Sequence, residues 1–455
     1  MDLFYISQIL YAIANIGYDA LLFKKPSLVR KRVPNTYIQI ASLICLYHEP
    51  INIIRNNVIS LLNMNYPVEK IKIYLIVEQD DKSTINNAQN ICKEFENVHV
   101  IVIPKNGEKD WPEVLKKWQN NTTTDLPFGK GRALLYAYYS ELSEVRKAEA
   151  ISVFDAEDIV DPCLFKYAIA GLEDGYDIIQ GKIKYRNGSK GLLTALEASE
   201  PVIWSNLIYP HTSHPNVPFQ VLGPAYFFKT SLPAEIGGWS PFTTSEDVDF
   251  GFKAWSLGKQ LALLDVYTSE LGVETIGSWF KQRRRWARGH QKAITSEYLS
   301  GNTKFATLKN RLNFWTYSLN SQLMSIISII GVPSGIYQLI LTITGNAPNL
   351  GLIMITITIF NLLHWVYGSY YLINSTNKVY IFNSKREKLL FYARVNPITT
   401  LFYSMLWFIP VVLAISDVIR RRRIEWEHTP REGELEFLPA RPERVPKSLT
   451  REPEE

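Results

Sequence analysis

Cysteine is scarce, with three in 455 residues, and this rules out a disulfide-stapled fold. Charge is also thin. Charged residues make up 20% of the chain and nearly cancel, 49 basic against 44 acidic, for a net +5. Such a balance argues against a nucleic-acid binder, and the 46% hydrophobic content argues against a disordered chain. The first residues lack the basic stretch and small-residue cleavage site of a signal peptide. Residues 3–23 are instead apolar and are followed by Lys24, Lys25, Arg30, Lys31 and Arg32, so residues 1–30 read as an uncleaved membrane anchor helix.

The plainest absence is local. Between Arg311 and Lys378 there is no Asp, Glu, Lys or Arg. That stretch can hold two helices of about 20 residues, the length that crosses a bilayer core. They are expected at 314–344 and 350–373, separated by the turn composition Gly345-Asn346-Ala347-Pro348-Asn349. A second charge-free run at 395–416 is long enough for another. The mean hydropathy of −0.06 is therefore the average of two unlike parts. Aromatic residues, 13% of the chain with 25 Tyr and 11 Trp, are plentiful in both.

Residues 34–301 alternate apolar strands (37–46, 71–77, 98–103, 150–154) with amphipathic helical stretches (51–63, 83–96, 131–146). This order predicts an α/β domain with a mostly parallel sheet. Residues 105–128 read as an inserted polar loop. Membrane and interfacial helices are expected over 302–423, and a charged, disordered tail over 424–455.

In an open parallel sheet, ligands sit beyond the carboxyl ends of the strands. The strand 150–154 runs into Asp155-Ala156-Glu157-Asp158. Three carboxylates so close repel one another unless a cation compensates them. Mg²⁺ takes one or two carboxylates and leaves positions for phosphate oxygens. With an extended backbone, Asp155 and Glu157 point to one side; an acidic turn before a helix N-terminus would read the same way. The strand 71–77 ends in Glu78-Gln79-Asp80-Asp81, suited to ribose or base hydroxyls, and the first strand ends in Tyr47-His48-Glu49. Gly129-Lys130-Gly131-Arg132 opens a helix and could face an anion. Ser245-Glu246-Asp247 opens another. Gln282-Arg283-Arg284-Arg285-Trp286 could hold a pyrophosphate or lie at a membrane surface.

In this order, the segments resemble the family 2 glycosyltransferases, in particular the membrane-embedded cellulose and hyaluronan synthases. Asp155-Ala156-Glu157 resembles the family's D-x-D element, with Glu for the second Asp. Ser245-Glu246-Asp247 resembles T-E-D, Gln282 to Trp286 is a complete Q-x-x-R-W, and Lys130 to Leu134 resembles K-x-x-A-L-N, with Leu135 in place of the Asn. Trp426 to Arg431 resembles the W-x-x-T-x-K/R gating segment, through Trp426, Thr429 and Arg431.

The resemblance implies a GT-A fold and inverting transfer of a sugar from a nucleotide sugar, most commonly a UDP-sugar, to a growing glycan, coupled to passage across the membrane. Asp247 would be the general base, with Glu246 beside it in the catalytic element. Asp155 and Glu157 would hold Mg²⁺ or Mn²⁺, and Glu49, Glu78, Asp80, Asp81, Lys130, Asp155, Gln282 and Arg285 would bind the nucleotide sugar. Trp286 would bind the acceptor. Polar and aromatic residues of the spans, such as Gln322 and Asn361, would suit a sugar path. Competing readings are one-sugar transfer to polyprenyl phosphate or another lipid, and a non-catalytic nucleotide-sugar-binding membrane protein.

The expected location is the cell membrane, with several crossings and the catalytic domain facing the cytoplasm. The basic run Arg420–Arg423 should face the same side, which three crossings after Arg311 would forbid. An even number is expected, with a re-entrant or interfacial segment breaking at Pro333 or Pro397.

Overall fold

In a computed structural model, residues 2–22, 27–108, 110–118, 123, 125–140, 143–212, 217–299, 307–346, 351–380 and 382–422 are described. The gating-like residues Trp426, Thr429 and Arg431, like the rest of the charged tail, lie outside them.

Eight strands form one mixed sheet: β1 Ile40–Leu46, β2 Ile71–Glu78, β3 Val98–Ile103, β4 Ala150–Phe154, β5 Ile159–Val160, β6 Ile178–Tyr185, β7 Tyr226–Lys229 and β8 Leu261–Glu270, in the order β3-β2-β1-β4-β7-β6-β8-β5. The first four in that order run parallel; β7 is antiparallel to both its neighbours, and β6 and β8 are parallel. The four strands anticipated from sequence are present with their carboxyl ends on one side. The order in which successive strands are added reverses at β1, with β2 and β3 on one side and β4 on the other, and a crevice must open between β1 and β4.

Period-two alternation explains the two cores. Ala41, Leu43, Tyr74 and Ile76 face a core with Trp111, Tyr136, Trp239 and Phe250. Ile40, Ile44, Ile73 and Leu75 face one with Ile54, Leu61, Phe154 and Phe165. Helices Ile51–Leu62, Lys82–Glu94 and Leu164–Glu173 cover the second face; helices Lys130–Tyr139 and Glu246–Ser256 cover the first.

Two expectations need correction. Residues 105–128 are not simply a loop, for they contain the helix Trp111–Lys117. Trp111 and Trp118 are buried, and the Trp111 indole N–H donates to the Pro104 carbonyl at 2.9 Å. The helix expected to run to residue 146 ends at Tyr139, where the Ser143 hydroxyl folds back to bond the Ala137 carbonyl and satisfies an end carbonyl that another helical turn would otherwise have taken.

Among the described residues, three helices are long and apolar enough to cross a membrane: Gln322–Ile343, within the longer helix Leu308–Ile343, then Leu352–Val379, and Pro397–Ile419. Pro333 lies inside the first without ending it. The N-terminal helix Asp2–Leu22 has a shorter apolar stretch, Phe4–Ile16. It packs against the first candidate span, where a Cβ on Gly331 would come within 2.5 Å of the Tyr11 ring. The Asn361 amide donates to Gln8 at 2.9 Å, so this polar group joins two helices. Leu352, Ile353 and Ile343 are each at least 75% exposed, as a lipid-facing surface requires.

The third apolar segment differs from the other two. Helix Pro397–Leu406 is capped by Asn396 and separated at Trp407 from helix Phe408–Ile419. Just before it, the Arg394 guanidinium donates to the Ser189 carbonyl at 2.5 Å, and Phe391 and Val395 are buried against Tyr185 and Ala195 of the α/β domain. At its end, buried Asp417 pairs with Arg284 at 2.7 Å. Both ends of the segment therefore touch the α/β domain.

Candidate functional site

A cavity of about 340 Å³, within the range of small-molecule sites, lies over the carboxyl ends of β1, β2 and β4. Its lining includes Glu49, Glu78, Lys130, Asp155, Glu157, Glu246, Asp247, Gln282, Arg285 and Trp286. Residues more than 230 positions apart in the sequence thus converge. Asp80 and Asp81 are not among the lining residues. Asp81 is buried as the cap of helix Lys82–Glu94, accepting from the Thr84 N–H at 3.1 Å and the His48 N–H at 2.6 Å. Although burial opposes it, these donors hold the Asp81 carboxyl below its ordinary value. Asp80 is 71% exposed beside Lys105.

At the end of β4 the chain turns rather than staying extended. The Asp158 N–H reaches the Asp155 carbonyl at 3.3 Å, and the Asp158 carboxylate accepts from the Asp155 N–H at 2.7 Å. The third acid is thereby spent inward, fully buried, while Asp155 and Glu157 both remain on the cavity wall. Lys130 Nζ lies 2.5 Å from Asp155 Oδ1 and 3.9 Å from Glu246 Oε1. Burial alone would push its ammonium down, but these two carboxylates outweigh it and hold Lys130 well above its ordinary value.

Asp247 Oδ2 accepts from the Gly223 N–H at 2.5 Å. A Cβ on Gly223 would lie 3.5 Å from Asp155 Oδ2 and 3.9 Å from Asp247 Oδ2, so one backbone position is flanked by both carboxylates. Ser245 is the N-cap of helix Glu246–Ser256 but its hydroxyl makes no capping bond. Burial, followed by the charge of Asp247, raises Glu246 to about 7, against the opposing pull of Lys130. Burial likewise raises Asp247, with Lys130 and the Gly223 N–H opposing.

Helix Ile276–Leu299 carries Gln282, Arg285 and Trp286. It is stapled to the turn before Glu246: the Thr244 hydroxyl donates to the Arg285 carbonyl at 2.9 Å, and the Thr243 hydroxyl to the Gly289 carbonyl at 3.2 Å. A Cβ on Gly289 would sit 2.5 Å from the Ser245 nitrogen, so only glycine permits this approach. Gly289 is absent from the residues singled out by sequence; an interior helix glycine is the signal that could have found it.

Two arginines named only within their runs turn out to have distant partners. Arg132 pairs with Glu78 within the wall and donates to the Pro104 carbonyl at 2.8 Å, so Glu78 already has a counter-charge. Arg283 is fully buried, 2.9 Å from Glu197 and 2.6 Å from Glu200, and it donates to the Gln282 side-chain oxygen Oε1. Neither could be read from spacing, because each partner lies on a distant segment.

Among the described residues, no three His, Cys, Asp or Glu side chains are grouped to hold a metal ion. Asp155 and Glu157, facing one cavity, offer two carboxylates, which fits a magnesium-type ion completed by phosphate and water. Away from the strands, the cavity is walled by Trp204, His290, Gln322 and Trp407. Gln322 and Trp407 belong to the apolar helices, so one cavity joins the α/β domain to those helices. Burial pushes His290 down to about 4, leaving it neutral at pH 7 beside Gln220, 3.4 Å away.

Residues 150–373 match the model of Glycosyl transferase family group 2. Over 260 residues the chain is 21% identical to "Probable glycosyltransferase YdaM" of Bacillus subtilis, a match covering 56% of each protein. Over 154 residues it is 28% identical to glucomannan 4-beta-mannosyltransferase 1 of Oryza sativa subsp. japonica, covering 32% of this chain and 28% of that one. The chain thus spans about half the length of the first relative and less of the second. Among solved structures, the mannosyltransferase PcManGT from Pyrobaculum calidifontis, in complex with GDP-Man and Mn²⁺, superposes with a TM-score of 0.55 at 14% identity, over 92% of this chain and 100% of that one. The strand order and this superposition make the α/β part a GT-A-like fold, and the match of residues 150–373 to the family model likens this stretch to the family 2 glycosyltransferases.

Proposed function

We propose that the protein transfers a hexosyl group, with inversion, from a nucleotide sugar to an acceptor that enters from the membrane side. The observation that carries this reading is the single cavity, acidic and cationic at the strand ends and aromatic where Gln322 and Trp407 of the apolar helices reach it. A neutral hydroxyl is a poor nucleophile. Asp247, fixed by the Gly223 N–H, takes its proton as the acceptor oxygen bonds the anomeric carbon. The bond to the donor phosphate breaks on the opposite face, and its electron pair leaves with the nucleoside diphosphate. Lys130 and Arg285 hold that diphosphate, with Lys130 moving from Asp155 toward the phosphates. A Mg²⁺ or Mn²⁺ ion on Asp155 and Glu157 would add charge neutralisation at the leaving group.

The rice relative is named for polymer chemistry and the structural neighbour holds GDP-Man. The first supports a polysaccharide product, and the second makes GDP-mannose as strong a donor candidate as a UDP-sugar. A donor panel of UDP-glucose, UDP-N-acetylglucosamine, UDP-galactose and GDP-mannose on the purified protein, with nucleoside diphosphate release as readout, tests the reading. One donor should be consumed, and EDTA should abolish the reaction. Release from none of them would overturn the transferase assignment, and full activity in EDTA would remove the metal.

We propose further that the chain after residue 308 crosses the membrane twice. Leu308–Ile343 leaves the α/β domain, where Phe314 packs on Trp255. Leu352–Val379 returns to it, where Tyr371 donates to the Asn206 carbonyl at 2.6 Å and Tyr380 to the Ala198 carbonyl at 3.1 Å. Pro397–Ile419, tied to the α/β domain at both ends, lies along the interface. This gives the even count that the basic run at 420–423 requires.

A further inference from the structure

The membrane-side wall of the cavity is built on a single buried guanidinium. Arg283 is 0% exposed. Its edge meets Glu197 at 2.9 Å and Glu200 at 2.6 Å. Its carbon lies 4.2 Å from the Trp286 ring centroid and 5.2 Å from that of Trp407. The Trp407 indole N–H donates to Glu200 at 2.8 Å. Trp286, Trp407 and Glu200 all line the cavity, whereas Arg283 does not. Three wall groups drawn from three separate helices (Leu192–Ile203, Ile276–Leu299 and the Trp407 segment) are thus oriented by one residue behind them.

The chemistry of the wall selects its occupant. Two indoles offer apolar faces that suit the C–H face of a sugar ring, and Glu200 offers a hydrogen-bond acceptor for a hydroxyl. An anionic lipid phosphate would meet a carboxylate here. We infer that Arg283 is a positioning residue, holding Trp286, Trp407 and Glu200 as a subsite for a neutral sugar ring of the acceptor. The inference rests on the transferase reading above. Arginine is needed because its planar fork can meet two carboxylates at its edge while indoles cover its faces; a lysine ammonium keeps the charge but cannot do both.

The test compares wild type, Arg283→Lys and Trp407→Phe in the full-length chain, with the donor found active in the panel. Cellotetraose and mannotetraose serve as acceptor probes, and undecaprenyl phosphate as the lipid alternative. Arg283→Lys should lower kcat/KM for the better oligosaccharide by about tenfold or more, mainly through KM, while donor hydrolysis without acceptor stays within about twofold. Trp407→Phe, which keeps a ring but loses the N–H to Glu200, should shift KM the same way by a smaller factor, and it carries the test if Arg283→Lys fails to fold. Donor hydrolysis falling in parallel with transfer would reduce Arg283 to a structural role. Use of undecaprenyl phosphate, with neither oligosaccharide accepted, would overturn the sugar subsite. An inactive wild type would instead overturn the transferase reading itself.

Discussion

Asp247 is distinguished from its neighbours by what surrounds it. Glu246 and Asp247 are adjacent in sequence, both buried and both raised by burial, yet it is Asp247 that takes the Gly223 N–H. Asp247→Asn should lower turnover by about 10²–10⁴-fold, the range of general-base contributions, with donor affinity retained; transfer and donor-binding assays on the same preparation check this. Unchanged turnover would dismiss Asp247 as the base. Glu246 yields a stability prediction. Its folded-state value of about 7 lies above the ordinary 4.5, so between those values the folded chain holds a proton that the unfolded chain has released. Its contribution to stability is complete below about pH 4.5 and is lost as pH rises through 7. Thermal unfolding in detergent should show the midpoint falling across that window in wild type, with a smaller fall in Glu246→Gln. Parallel curves would refute the assignment.

At the scale of elements, the decisive contact is between helix Ile276–Leu299 and its neighbours. Its Gly289 admits the backbone of Ser245. Gly289→Ala should force the helix and the Glu246-Asp247 turn apart, costing about 1–3 kcal/mol by overpacking and most of the activity. A variant with unaltered thermal midpoint and turnover would show that the turn absorbs the methyl. The same helix binds the third apolar segment through Arg284 and Asp417. If that segment lies along the interface, single cysteines at Ser384 and Arg420 should both be labelled by a membrane-impermeant maleimide from the face that bears the α/β domain. In sealed vesicles, labelling of these two sites from opposite faces would show that Pro397–Ile419 crosses.

Across the whole molecule, the cavity joins a charged end at the strand ends to an aromatic end at the apolar helices, and product size reports which acceptor reaches it. With radiolabelled donor, the product should be a polymer that elutes ahead of the free sugar nucleotide on size exclusion. A single sugar partitioning into organic solvent would establish lipid glycosylation and sink the synthase reading. Composition fits this two-part molecule better than its average suggested. The low charged fraction comes largely from the helices after residue 308, and the chain reads as one α/β unit and one set of long apolar helices.

Much of this was legible in order and spacing. Period-two alternation and carboxylates at strand ends follow from local rules, so the parallel strands β1 to β4, and Asp155 and Glu157 at the cavity, were accessible from residues alone, whereas Asp247, at a helix start, was singled out by the family resemblance. Charge-free length likewise disclosed the apolar helices, because the cost of burying charge in hydrocarbon is paid residue by residue. What the chain order could not disclose was pairing at a distance: Arg132 with Glu78, Lys130 with Asp155, Arg283 with Glu197 and Glu200. A side chain's partner depends on which segments the sheet and helices bring together. For that reason the cap residue Asp81 also takes the His48 N–H from the end of β1 and stays off the cavity wall, and the third apolar segment found both its ends on the α/β domain. The sequence by itself determined which residue types were available to a site and which lengths could enter a membrane. Only the tertiary structure decided which charges meet, since electrostatic and packing energies fall off with distance in space and not along the chain.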